Sequence, residues 1–272
     1  MSNAKKVIEL LKELEVNTSF DIYLPSLQKE VKFKQLTTEQ LKRILRTALI
    51  TAGYNSEFIL TFNNIIKENC LDKSINTDNL TIYDKIFIIY KTKIVSISPD
   101  YNFAFTDEEI NTFSLEEANK TISLTDIFNE FVNSKTEFKP ETTTYNGCTV
   151  TCNIPSLATE NKLESELHKN IIINLESENE VSKVISDAFI NEVAKFVTSV
   201  NINGEEVNFL LLNFTERIKV IENLPVTITS FILKYIENYK KAIEPLLSYT
   251  FVTDKNDTIS KDITLDPTFF NI

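Results

Sequence analysis

The sequence predicts an α+β protein: an N-terminal strand pair followed by a helical core, a second half with a hairpin and helices, and short C-terminal strands. Three observations carry this. Residues 31–36 alternate apolar and polar side chains strictly, the pattern of a half-buried strand. Residues 41–49 and 184–200 place apolar side chains at helical spacing. Asn146-Gly147 and Asn203-Gly204 are strong turn signals, because Asn and Gly tolerate the positive φ angles of a two-residue hairpin turn.

The elements follow in order. Residues 4–15 put Val7, Ile8, Leu10, Leu11 and Leu14 on one side of a short amphipathic helix, packed on its own domain or on a neighbour. Residues 20–24 alternate loosely until Pro25 stops them, and residues 25–28 connect them to the strand at 31–36. Thr37 and Thr38 cap a helix with Glu39 and Gln40 in its first turn. Its stripe is Leu41, Ile44, Leu45, Ala48 and Leu49, with Lys42, Arg43 and Arg46 off it and Gly53 as the stop. Residues 56–70 form a second helix with Phe58, Ile59, Phe62, Ile65 and Ile66 inward. Thr81 or Asn79 caps a third, residues 83–96. Its run at 86–90 is so nearly continuous that it belongs at the centre, a buried strand being the competing reading.

Residues 101–105 alternate like a strand, and residues 125–133 have the pattern of a short helix. Residues 142–154, rich in Thr and Val, form a hairpin or edge strand ended by Pro155. Residues 157–169 are polar and charged, the composition of an exposed helix or a long loop, and they weakly mark an internal boundary. Residues 180–200 carry Val184, Ile185, Ala188, Phe189, Val193, Phe196 and Val200 on one helical face, while 195–202 also resemble one arm of a hairpin whose other arm is 207–211; a helix giving way to that hairpin is expected. Asn213 caps a helix through Asn223. Leu224-Pro225 breaks it, since the residue before proline leaves the α region. A last helix, 227–243, carries Ile228, Phe231, Ile232, Tyr235, Ile236 and Tyr239 and ends at Pro245; the tail, 249–252 and 259–270, has the pattern of two short strands around a polar turn. The division is an N-terminal strand-pair and helical domain, residues 1–140, and a C-terminal α+β domain, residues 141–272, with one elaborated domain as the alternative.

Composition excludes several classes of function. A chain of 272 residues with 42% apolar content can bury a full core. Three glycines, at 53, 147 and 204, cannot write a G-x-G-x-x-G or a phosphate-binding P-loop. A net charge of −11 opposes binding to a nucleic-acid backbone. An odd cysteine count, Cys70, Cys148 and Cys152, with no secretory apolar segment at the start, points to a reducing compartment. No run of 18 apolar residues exists, so no membrane span is expected.

The residue types that carry chemistry are present without the spacing that chemistry needs. The single histidine, His168, sits between Glu164 and Glu166 on one side and Lys169 on the other, as a solvated surface residue does. Cys148 and Cys152 fall on one face of an alternating strand and are expected to pack as small apolar groups; a zinc site would need two paired clusters of ligands. Asp72, Asp78, Asp84 and Asp107-Glu108-Glu109 lie at turns and helix starts, where carboxylates cap N–H groups. No catalytic, cofactor-binding or metal-ligating residue is assigned, and no cofactor is expected.

Several blocks carry a family likeness. Leu24-Pro25-Ser26, then the Val31 to Leu36 strand with Thr37, then the helix from Glu39 to Leu45, resemble the opening of the baseplate-hub proteins of T-even-like contractile-tailed phages. Residues 80–90, with Asp84 ahead of their apolar run, resemble that family's middle helix. Residues 192–200, residues 220–225 and the ending at 263–270 resemble later family segments. The resemblance implies a structural component of the phage tail baseplate, in its central hub, working in a hetero-oligomeric assembly by protein–protein contacts. Its partners would be other baseplate hub and tail proteins, with no nucleic acid and no membrane span, in the virion after synthesis in the host cytoplasm. The residues expected to meet neighbours are Leu24, Pro25, Ser26, Val31 and Phe33 of the strand pair and Phe269 and Phe270 of the tail, with the N-terminal helix beside them. The alternatives are a transient hub-assembly chaperone absent from the mature virion, a cytoplasmic enzyme with a carboxylate site, and an adaptor in a non-viral contractile machine.

Overall fold

The computed structural model describes residues 18–50, 55–113, 118–133, 136–174, 181–253 and 256–271, and Val7 and Leu10 ahead of them. It is an α+β structure with small antiparallel sheets. Val7 and Leu10 are helical and exposed; the rest of the expected N-terminal helix, and the stop at Gly53, lie outside the described residues.

Strands β1 (Ser19–Leu24) and β2 (Lys29–Lys34) form a hairpin in which Ile22 faces Val31 and Phe20 faces Phe33. The turn is the expected one, and Gln28 takes φ +52° in it. Helix α1 (Thr38–Ile50) starts at a reciprocal cap: Gln40 N–H donates to Thr37 Oγ1 at 3.2 Å, and Thr37 N–H donates to Gln40 Oε1 at 3.1 Å. The same Gln40 amide crosses to Asn69 at the end of α2 (Ser56–Asn69), donating at 2.9 Å and accepting at 3.2 Å.

Helix α3 (Ile82–Ser96) is the centre of the molecule. Thr81 caps it and Asp84 closes the capping box. Residues from Ile82 to Tyr90 are buried without a break, so the run at 86–90 is a core helix and not a strand. Strands β3 (Asp100–Ala104) and β4 (Asn119–Ser123) pair on either side of α4 (Asp107–Phe113), and α5 (Leu124–Asn133) packs on α3.

The second half holds a four-stranded antiparallel sheet, β5 (Glu141–Tyr145), β6 (Cys148–Cys152), β7 (Val197–Ile202) and β8 (Glu205–Asn208), in that order. Both turns lie at one end and touch. Asn203 N–H donates to Gly147 O at 2.9 Å, and a Cβ on Gly147 would meet Asn203 Oδ1 at 2.5 Å. With φ at +77°, only glycine fits there without strain. Helices α6 (Leu157–Asn174) and α7 (Val181–Lys195) lie between β6 and β7 in the chain, and α8 (Phe214–Asn223) and α9 (Val226–Leu247) follow the sheet. Strands β9 (Ser248–Val252) and β10 (Thr258–Asp262) pair, and a 3-10 turn at Pro267–Phe270 ends the described chain.

Three expectations are corrected. The polar segment at 157–169 is neither a loop nor an exposed helix: α6 buries Leu157, Glu160, Leu163, Glu164 and Leu167. Pro245 does not end the last helix; α9 runs on to Leu247, because a proline near the C-terminus sacrifices only one backbone hydrogen bond while Leu246 stays fully buried. Residues 267–270 are a 3-10 turn, not a strand. One apolar cluster runs from Phe20 through α3 and the sheet to Phe270, continuous across residues 140 and 141. Among the described residues no helix is long and apolar enough to cross a membrane.

Candidate functional site

The expected contact residues divide sharply. Leu24, Val31, Phe33, Phe269 and Phe270 are at most 2% exposed. Phe33 stacks on Phe20, Phe269 meets Tyr90 and Tyr101, and Phe270 sits between Phe58 and Phe62. These five side chains fill this chain's own core, as aromatic and aliphatic groups do wherever they can leave water, and present no surface to a neighbour. Only Pro25 and Ser26 of the set reach the surface. The Ser26 N–H is held by Asp84 Oδ1 at 3.0 Å, so the Leu-Pro-Ser turn is latched onto the cap of α3. A cavity of about 140 Å³ opens beside that turn, between Pro25, Tyr83, Phe138 and Asn153.

A buried polar junction joins α2, α3, α6 and α7. Lys85 Nζ lies 2.5 Å from both oxygens of Glu160. Glu160 also accepts from Asn63 Nδ2 at 2.8 Å. One turn along α6, Glu164 accepts from Ser56 Oγ and pairs with Lys195, which also reaches Glu192. Burial opposes the charge on Glu160, but the ammonium groups of Lys85 and Lys195 and the two hydrogen bonds outweigh it and hold its carboxyl below the usual range. Burial likewise opposes the charge on Lys195, and Glu192, Glu164 and Glu160 raise it above its ordinary value. A carboxylate held so firmly ionised is a weak base, so this geometry suits cross-linking of helices more than proton transfer. Sequence reasoning missed the junction. Its signal was the placement of Glu160 and Glu164 on the same helical face as Leu157 and Leu167, and of Lys85 inside an apolar run.

His168 is half-buried, its Nε2 3.4 Å from Glu57 Oε1, a tie between α6 and α2 where a solvated residue was expected. Cys148 and Cys152 face the core as expected. Among the described residues no cluster of three or more His, Cys, Asp or Glu could hold a metal ion.

The surface feature of most consequence is the outer end of the four-stranded sheet. Tyr145, Cys148, Ile202 and Glu205 form one cross-strand row, and Val150, Val200 and Val207 continue its face. The face is covered at Val150 and Val200 and uncovered at its rim: Tyr145 is 41%, Ile202 53% and Val207 43% exposed, and Leu211, just past β8, 81%. Strand β8 is exposed along its whole length and has no second strand beside it among the described residues. Glu205 and Glu206 lie on it without a basic partner among the described residues. An uncovered edge of this kind accepts a further strand through its free N–H and C=O groups.

Comparison of the chain with protein-family models, with curated proteins and with solved structures finds no match.

Proposed function

We propose that this chain is a structural component of a phage tail baseplate, in its central hub, and that it works by protein–protein contacts in tail assembly without a catalytic step. The order of the short blocks described above, from Leu24-Pro25-Ser26 to the Phe269-Phe270 ending, supports the reading. The observation that carries it is the open edge of β8, with Ile202, Val207 and Leu211 uncovered beside Glu205 and Glu206, which have no basic partner among the described residues. Hub work needs such a surface: an apolar centre that a partner desolvates and an edge that sets its register. The charge of that edge favours a strand bearing Lys or Arg from a neighbouring hub protein, and a second copy of this acidic chain is disfavoured. The contact set thereby moves from the buried residues of the strand pair and tail to β8 and the end of β7.

The test is a reconstruction of the intact particle together with mass spectrometry of purified virions. The chain is expected at the tail tip, with β8 against a basic strand of another protein. Its absence from virions whose assembly nonetheless requires it would establish the transient chaperone instead. Normal tails after deletion of the gene would end both readings.

A further inference from the structure

Four cations are buried among the described residues: Lys85, Lys93, Lys195 and Arg217. Lys85 pairs with Glu160, Lys195 with Glu164 and Glu192, and Arg217 with Glu166. Lys93 is the exception. It lies in the last turn of α3, 3% exposed, and its ammonium donates to one neutral acceptor, the backbone carbonyl of Asn271, at 2.7 Å. No carboxylate lies within ion-pair distance of it among the described residues. An ammonium has three N–H groups, and burying it with a single partner leaves most of its lost hydration unreplaced. Burial pulls Lys93 below its ordinary value of 10.5, and the field of Asp100 only partly restores it.

Lys93 forms part of the wall of a cavity of about 550 Å³. The wall also offers neutral donors. Ser98 Oγ accepts the Asp100 N–H at 3.0 Å, which leaves its O–H to donate. Asn102 Oδ1 accepts the Thr121 hydroxyl at 2.6 Å, which leaves the Asn102 amide nitrogen to donate. Asn271 lines the same space. A buried ammonium flanked by hydroxyl and amide donors beside an open volume is the donor set that receives an oxyanion. Asp100, on the same wall, offsets part of the attraction of Lys93; the net attraction grows only in proportion to the anion's charge while the cost of stripping its water grows faster, so a singly charged anion fits better than a doubly charged one.

We propose that this cavity, between the end of α3, the β3–β4 hairpin and the C-terminal 3-10 turn, is a binding site for a small monocarboxylate anchored on Lys93. The site is independent of the β8 edge and of the baseplate reading.

The experiment uses the full chain, ¹⁵N-labelled, titrated at constant ionic strength with sodium acetate, with sodium phosphate above pH 8 and with sodium chloride. Acetate is expected to shift the Asn102, Thr121 and Asn271 amides saturably, phosphate dianion more weakly and chloride not at all. Lys93→Gln keeps a donor to the Asn271 carbonyl and removes the charge; it is expected to weaken acetate binding roughly ten- to a hundredfold. Asp100→Asn, an exposed substitution that leaves the core intact, is expected to narrow the preference for acetate over phosphate. Equal response to chloride, no saturation with acetate, or an unchanged preference in Asp100→Asn would each overturn the proposal.

Discussion

Asp84 joins the first hairpin to the central helix. Its Oδ1 accepts the Ser26 N–H at 3.0 Å, and its Oδ2 accepts the Thr81 N–H at 2.8 Å and the Thr81 hydroxyl at 2.7 Å. The side chain is fully buried, so its carboxylate depends on these donors to replace the water it has lost. One carboxylate thus caps α3 and fixes the Leu-Pro-Ser turn over it. Asp84→Ala is expected to destabilise the fold by about 2–4 kcal/mol, the sum of a lost cap and a lost charge-assisted bond. Urea denaturation checks it. A loss under about 0.5 kcal/mol would mean that the latch is incidental.

The Lys85–Glu160 pair makes a separable prediction. Glu160→Gln leaves Lys85 buried without its counter-charge and should cost about 3–5 kcal/mol. Replacing both partners, as Lys85→Met with Glu160→Leu, should recover much of that loss, because the desolvation of both charges is removed together. The pH dependence follows from the shifts. Glu160 is depressed below its ordinary 4.5, so its contribution is present above that value and is lost as pH falls through the lower folded value. Lys195 is raised above its ordinary 10.5, so its contribution is complete below 10.5 and is lost as pH rises through the higher folded value. Stability from this junction is therefore flat between those two ordinary values and falls outside them. Denaturation midpoints measured across pH, with Glu160→Gln as the comparison, should show a shallower acid limb in the variant.

The local signals in the chain were legible because they act within a few residues. Thr37 and Gln40, Thr81 and Asp84, and Asn213 and Glu216 each cap the helix their spacing implies. Asn146-Gly147 and Asn203-Gly204 turn where positive φ is cheapest. What the sequence hid is set by distant partners. Glu160 and Glu164 look solvated until Lys85 and Lys195 arrive from other helices, 75 and 31 positions away in the chain. The contact residues failed for the same reason. Phe270 at a chain end suggests an exposed anchor, and only the fold reveals Phe58 and Phe62 waiting for it. The β8 edge was foreseeable as a hairpin arm but not as an edge, since strand order depends on which segments pair.

The placement of Phe270 reverses what its truncation should do. Were it a contact for another protein, Phe270→Ala would leave the isolated chain unaffected. Fully buried between α1 and α2, it should instead cost about 3–5 kcal/mol, through lost transfer energy and the cavity left behind. Thermal unfolding of the purified chain distinguishes the two, with a fall in the midpoint of several degrees expected from the buried position.

The thiols should be inert in the folded chain. Cys152 is fully buried, and burial, with a smaller push from the Glu141 carboxylate, raises its thiol to about 12. At pH 8 only roughly one molecule in ten thousand then carries the thiolate that reacts. Burial raises Cys70 as well, and Cys148 is buried beside β7. Cys148 and Cys152 lie four residues apart on one strand, about 13 Å at the rise of an extended chain, too far for a disulfide. Iodoacetamide at pH 8 should therefore leave all three cysteines unmodified until denaturant is added, after which three carbamidomethyl groups should appear in the mass spectrum. Rapid labelling of Cys152 in the native protein would show that β6 opens from the sheet far more readily than its burial allows.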